Sequence, residues 1–137
     1  MSSPRYLLDT NICIFIRQNR PLAVTDRFRT LASGEAAISV ISYGELSYGA
    51  EKSRKRELAV SGLQKLLEYL PVLPLPQNGG SAYGSIRSAL ERKGNSISSN
   101  DLWIAAHALA AGLILVTSNE REFRRVDDLR IENWAAG

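Results

Sequence analysis

The 137-residue sequence predicts an α/β fold, a central parallel sheet of four to five strands covered by helices, in a single domain spanning residues 1–137. Three observations carry this expectation. Short apolar runs alternate with stretches of helical periodicity along the chain. The first four runs lack the polar alternation of a half-exposed sheet, as strands covered on both faces require. No repeat, low-complexity tract or long linker divides the sequence.

Strands are expected near Tyr6–Leu8, Ala37–Ser39, Val72–Leu75, Leu113–Thr117 and Leu129–Asn133, with helical segments between them. Over residues 56–70, Leu58, Leu63, Leu66, Leu67 and Leu70 recur at helix-like spacings, and Pro71 stops the run. The segment PLPQNGG at 74–80 reads as the clearest loop.

Composition narrows the function classes. Hydrophobic residues make up 45% of the chain, enough for a substantial core. Cys13 is the only cysteine, which excludes an internal disulfide and a cysteine-based zinc cluster and suits a reducing cytoplasm. No signal-peptide pattern and no membrane-spanning run is visible, so a cytoplasmic protein without a membrane partner is expected. Seventeen Lys plus Arg against fourteen Asp plus Glu leave a net charge of +3, which permits an anionic partner without requiring one.

Acids recur where the expected strands end. Asp9 follows the first strand in YLLDTN, and Glu45 is expected on the first turn of the helix after the second strand. Asp101 opens the helix in SSNDLWIAAHALAAG, while Glu122 follows the fourth strand in LVTSNEREF, beside Asn119 and Glu120. In open α/β sheets ligands bind at the carboxyl edge of the strands. Oxygen ligands gathered there suit a hard divalent cation, with one or two ions able to activate water for attack on a phosphodiester. A serine–histidine triad or a zinc site would have to be built around His107 and Cys13, the only histidine and the only cysteine.

Each acid also has a purely structural reading. Ser42-x-x-Glu45 and Ser98-x-x-Asp101 match the capping box. Asp9 could end a strand or cap a helix, and Glu122 could pair with Arg121, Arg125 or solvent. Capping alone does not account for recurrence at successive junctions. His107, within an alanine-rich helix, reads as a packed or partner-bonded histidine rather than a general base.

Taken together, LDTN, ISYGELSYGAEKS, NDLWIAAHALAAGLILVTSNEREF and LRIENW resemble PIN-domain ribonucleases, specifically the VapC-type toxins of bacterial toxin–antitoxin pairs, over residues 6–134. The resemblance implies a three-layer α/β/α sandwich, Mg²⁺ or Mn²⁺ dependence with one or two ions, endonucleolytic RNA cleavage and a cognate VapB-type antitoxin. It assigns Asp9, Glu45 and Asp101 as the leading catalytic and metal-binding acids. Many PIN domains carry an aspartate where this chain has Asn119, so Glu122 is the expected fourth acid, with Asn119 binding through its amide oxygen or through water, and Glu120 ranked third. Thr10 and Asn11 are expected to orient Asp9 by hydrogen bonds, with Thr117 in a like supporting role.

The reaction this implies is attack of metal-activated water on an RNA phosphodiester, leaving 3′-hydroxyl and 5′-phosphate ends. Basic residues would grip the substrate: Lys52 in KSRKR at 52–56, and Arg121, Arg124 and Arg125 in REFRR at 121–125. A structured RNA such as tRNA fits that chemistry. Tyr43, Leu46, Tyr48 and the stretch Ile12–Ile16 are expected to form a surface groove for the antitoxin and a homodimer contact. The alternative is a catalytically inactive PIN-like module that binds nucleic acid or protein. A receiver-type phosphotransfer domain is disfavoured, because it would need a second acid beside Asp9 and a phosphate-contacting lysine near the later strands.

Overall fold

The computed structural model describes residues 3–136. Its elements in chain order are β1 (Tyr6–Leu8), α1 (Thr10–Gln18), α2 (Leu22–Arg29), β2 (Ala36–Ser39), α3 (Val40–Glu51), α4 (Arg56–Leu67), β3 (Val72–Leu73), α5 (Asn78–Arg92), α6 (Ser99–Ala111), β4 (Ile114–Val116), α7 (Glu120–Phe123) and β5 (Ile131–Glu132), followed by a 3₁₀ turn over Trp134–Ala136. All five expected strands are present, each at or within the expected run to within one residue.

The strands form one parallel sheet in the order β3-β2-β1-β4-β5. β1 therefore sits at the centre, with Leu7 opposite Ala37 on one side and Leu115 on the other. The chain first builds outward from β1 through β2 and β3, then returns to β1's other side with β4. Such a reversal opens a crevice at the carboxyl ends of the central strands.

Successive strand side chains point to opposite faces, and here each face has its own core. Tyr6, Leu8, Ile38 and Val116 pack with Ile12, Leu46, Leu63 and Leu66 from α1, α3 and α4. Leu7 and Leu115 pack with Ile86, Leu90, Ile104 and Phe123 from α5, α6 and α7. The result is a three-layer sandwich. Cys13 is buried in the first core, and burial raises its thiol pKa, keeping it protonated.

Three local expectations change. The loop at 74–80 gives way to α5 at Asn78, and buried Gly79 explains why: an added Cβ would lie 3.1 Å from Leu75 Cδ1, so the glycine admits close packing of the loop on the first helical turn. β3 ends at Leu73 because Pro74 lacks an N–H for the ladder. α3 follows β2 directly, with Ser39 as its N-cap through a 3.1 Å bond from the Ile41 N–H to Ser39 Oγ. Glu45 is consequently on the second turn, and Ser42, buried inside the helix, is not a cap.

The residues expected to form a groove and a dimer contact divide. Ile12, Cys13 and Leu46 belong to the core, and Ile14, Phe15, Ile16 and Tyr43 are half-buried against it, whereas Tyr48 is exposed. Helices α1, α3 and α4 each carry an apolar face that the sheet needs. No described helix is long and apolar enough to cross a membrane.

Candidate active site

Asp9 leaves β1 with its N–H bonded to the Val116 carbonyl at 3.0 Å, so it extends the pairing with β4 by one residue. It is also the N-cap of α1: Oδ1 accepts the Ile12 N–H at 2.9 Å. The side chain is 5% exposed. Burial raises its pKa, opposed chiefly by hydrogen bonding from the Thr117 hydroxyl and the Ile12 N–H, while the charge of Glu45 raises it further. The Asn11 backbone N–H also serves this carboxylate, and the Asn11 side chain is exposed.

Glu45 reaches the same edge from α3. The Thr10 hydroxyl donates to its Oε1, and Asn100 Nδ2 donates to its Oε2 at 3.2 Å. Thr10 was expected to orient Asp9; its position at the start of α1, beside α3, directs it to the second acid instead. Asn100 was not singled out in the sequence, although it immediately precedes Asp101 in SSND.

Asp101 occupies the third position of α6, and its N–H donates to the Ser98 N-cap hydroxyl at 3.3 Å. Half of the capping box is thus formed. The carboxyl group turns toward Glu122, within hydrogen-bonding reach. Its pKa is pushed up to about 6, first by burial, then by Glu122 and the charge of Glu45, against the opposing Ser98 hydroxyl.

On α7, Glu122 Oε2 accepts Asn119 Nδ2 at 3.1 Å, which leaves the Asn119 amide oxygen available. The Asn119 N–H is fixed by Thr117 Oγ1 at 2.9 Å. Glu120 points elsewhere: it accepts from Asn133 Nδ2 at 3.0 Å and pairs with Arg124 at 2.7 Å, and these partners, Asn133 first, lower its pKa.

Among the described residues, Asp9, Glu45, Asp101 and Glu122 form no ion pair with Lys, Arg or His. Their donors are all oxygen, the set a hard divalent cation takes. No three of them converge tightly enough to form a closed cage among the described residues. His107 takes no part: its Nδ1 lies 2.8 Å from Ser39 Oγ in the buried layer between α6 and β2.

A sequence model of the PIN domain matches residues 6–129. The chain belongs to the PIN-domain family. It is 43% identical over 130 residues to "Ribonuclease VapC2" of Haemophilus influenzae, covering 95% of this chain and 98% of that one. It is 41% identical over 131 residues to the "tRNA(fMet)-specific endonuclease VapC" of Shigella flexneri, covering 96% and 98%. Its structure superposes on the crystal structure of VapBC2 from Rickettsia felis, bound to a DNA fragment from their promoter, with a TM-score of 0.89 and 40% identity over 94% of this chain and 98% of that one.

On this PIN domain the basic residues divide by role. Arg121 is exposed, and Arg124 is exposed while paired with Glu120. Arg125 is half-buried and donates to the Ser96 carbonyl at 3.1 Å, tying α7 to the segment before α6. Lys52 lies over the Tyr48 ring at the end of α3. A groove of about 360 Å³ runs from Thr10 and Glu45 between α1, α3 and α4, lined by Ile14, Arg17, Leu46 and Ala59 among others.

Proposed function

We propose that this PIN domain is the nuclease toxin of a toxin–antitoxin pair, cutting RNA at Asp9, Glu45, Asp101 and Glu122 with Mg²⁺ or Mn²⁺, one or two ions, as cofactor. The observation that carries this reading is the gathering of four acids, with no ion-pair partner among the described residues, at the carboxyl edge of β1, β2 and β4. The names of relatives aligned over nearly the full length, a ribonuclease and a tRNA-specific endonuclease, support RNA as substrate. An inactive binding module would not need this charge.

The protein's own groups divide the work. Asp9, Asp101 and Glu122 supply carboxylate oxygens, and the amide oxygen of Asn119 adds a neutral donor. Thr10 and Asn100 hold Glu45 toward the edge, and Thr117 with the Ile12 N–H holds Asp9. A divalent cation bound there supplies Lewis acidity toward the phosphodiester and lowers the pKa of water. Arg121 and Arg124 provide positive charge for flanking phosphates, and the products carry 3′-hydroxyl and 5′-phosphate ends.

The groove beside Glu45 suits a short segment of a VapB-type antitoxin with a basic side chain directed at the acids, and the toxin assembles as a homodimer in the cytoplasm. The superposition on a toxin–antitoxin complex supports this partner. The test is incubation of the purified protein with bulk tRNA in Mg²⁺ or Mn²⁺ and in chelator. Discrete cuts that need the cation, and that Asp9→Asn abolishes, are expected. RNA left intact with both cations would overturn the reading.

A further inference from the structure

On α3, Val40, Gly44, Tyr48 and Lys52 recur at every fourth residue, and Glu45 stands three residues before Tyr48. Such spacings put side chains on neighbouring rows of a helix. With Gly49 and Asn100, these residues, Glu45 among them, line an open depression of about 640 Å³. Gly44 forms a bare floor: a Cβ built there meets nothing within 4 Å. Tyr48 is 65% exposed. The Lys52 ammonium lies 4.8 Å from the Tyr48 ring centroid and has no carboxylate partner among the described residues, whereas neighbouring Glu51 is bound to Arg56.

Resting on the ribonuclease reading, we infer that this depression is a nucleobase subsite, in which a base next to the scissile phosphate lies against Tyr48 while Lys52 neutralises the phosphate on that side. At 1.5 Å per residue, Tyr48 is about 4.5 Å and Lys52 about 10 Å along the helix from Glu45. The Lys52 side chain reaches back over the Tyr48 ring, so an aromatic face and a cation sit together beside Glu45. A flat, sequence-tolerant aromatic platform followed by a positive charge is how single-stranded nucleic acid is held. A strongly acidic site also needs a nearby cation to keep a polyanion in place, and among the described residues Lys52 is held by no carboxylate, only over the Tyr48 ring. Two exposed apolar side chains, Val40 and Tyr48, are little for a protein interface, which buries about 800 Å² per partner. Gly44 is the sequence mark of the subsite, since any side chain there would project into the space the base takes.

The test compares kcat and KM of wild type, Tyr48→Ala, Tyr48→Phe, Gly44→Leu and Lys52→Gln on bulk tRNA and on a single-stranded RNA oligonucleotide spanning a mapped cut. Melting temperature and sedimentation mass are measured on the same samples. Tyr48→Ala is expected to lower kcat/KM by about 5- to 150-fold, the range of one base–aromatic stack, while Tyr48→Phe retains it. Gly44→Leu is expected to raise the melting temperature, because glycine is a poor helix former, and yet to lower kcat/KM. Lys52→Gln should reduce the dependence of affinity on salt by about one counterion. Removing the base from the nucleotide beside the cut should make wild type and Tyr48→Ala equal. Wild-type cleavage with Tyr48→Ala and Gly44→Leu fully active would overturn the subsite alone. Loss of activity that follows a fall in sedimentation mass and recovers at high protein concentration would assign the depression to a protein interface and also overturn it. No cleavage by wild type would instead remove the ribonuclease reading on which the subsite rests.

Discussion

The carboxyl groups of Asp101 and Glu122, one from the first turn of α6 and one from α7, face each other within hydrogen-bonding reach. Neither has a basic partner among the described residues. A proton or a cation between them relieves their repulsion, and the two compete for the same place.

Asp101→Asn should lower RNA cleavage at least a hundredfold while leaving the metal-free protein as stable as wild type or more so. The cap of α6 uses the Ser98 hydroxyl and the backbone N–H of residue 101, and both survive the substitution. The capping reading predicts instead a loss of up to about 1 kcal/mol with activity kept. Melting in chelator and cleavage in Mg²⁺, on the same two proteins, separate the two.

The pH dependence of stability follows from the same group. The pKa of Asp101 is raised in the folded state from 3.8 to about 6, so its stabilising effect is full below the unfolded value and is lost as pH rises through about 6. In chelator, wild type should gain stability relative to Asp101→Asn as pH falls from 7.5 to 5. His107, whose pKa burial lowers, acts oppositely in that window, losing its contribution as pH falls, but it is common to both proteins and cancels in the difference. Parallel melting curves across this range would refute the assignment.

Addition of Mg²⁺ or Mn²⁺ at pH 7.5 should raise the wild-type melting temperature above that in chelator, since an ion that binds only the folded state stabilises it by mass action. A hundredfold excess over the dissociation constant is worth about 2.7 kcal/mol. Asp9→Asn and Asp101→Asn should each remove most of this shift. The shift should also shrink near pH 5, where the Asp101 proton competes. Calorimetric scans with and without the ion measure it directly.

Arg124 and Arg125 should behave differently despite being adjacent. Arg124→Ala is expected to weaken RNA binding at low salt, with the effect shrinking as salt rises. Arg125→Ala removes the tie from α7 to the Ser96 carbonyl and should cost about 1–2 kcal/mol of stability. Filter binding at two salt concentrations, with melting of both variants, distinguishes a phosphate contact from a structural one.

His107→Ala should destabilise the protein by about 2–4 kcal/mol through lost packing and the lost partner of Ser39. At a temperature where the variant stays folded, the metal-induced shift should persist. Loss of that shift without loss of stability would place His107 in the site rather than the core.

The strands were legible because β1 and β4 are fully apolar runs, and Asp9, Glu45 and Glu122 because each follows a strand, whereas Asp101 follows the α5–α6 loop and was marked by its place at a helix start. Capping chemistry was legible at Ser98, where a short loop precedes the helix, but not at Ser39. There the strand passes straight into α3, so no turn residues mark the boundary and Ser42 imitates the cap. The partners of Glu45 were harder to foresee. Thr10 and Asn100 lie 35 and 55 residues away from it, and only the stacking of α1 and α6 beside α3 brings them together. Amphipathic faces were harder to read: Ile12 is taken by the core, while Ile14 and Leu46 pack there and also line the groove beside Glu45.

The central position of β1 also sets an order of events during synthesis. The strand that carries Asp9 is made well before one of its two neighbours, β4, which does not exist until residue 116 has been added. At roughly 5–20 residues per second, the interval between making Asp9 and Glu122 is about 6–23 s. Throughout that time the growing chain holds acids but no assembled site. The four acids cannot act together until β4 and α7 have followed β1 and α3 out of the ribosome.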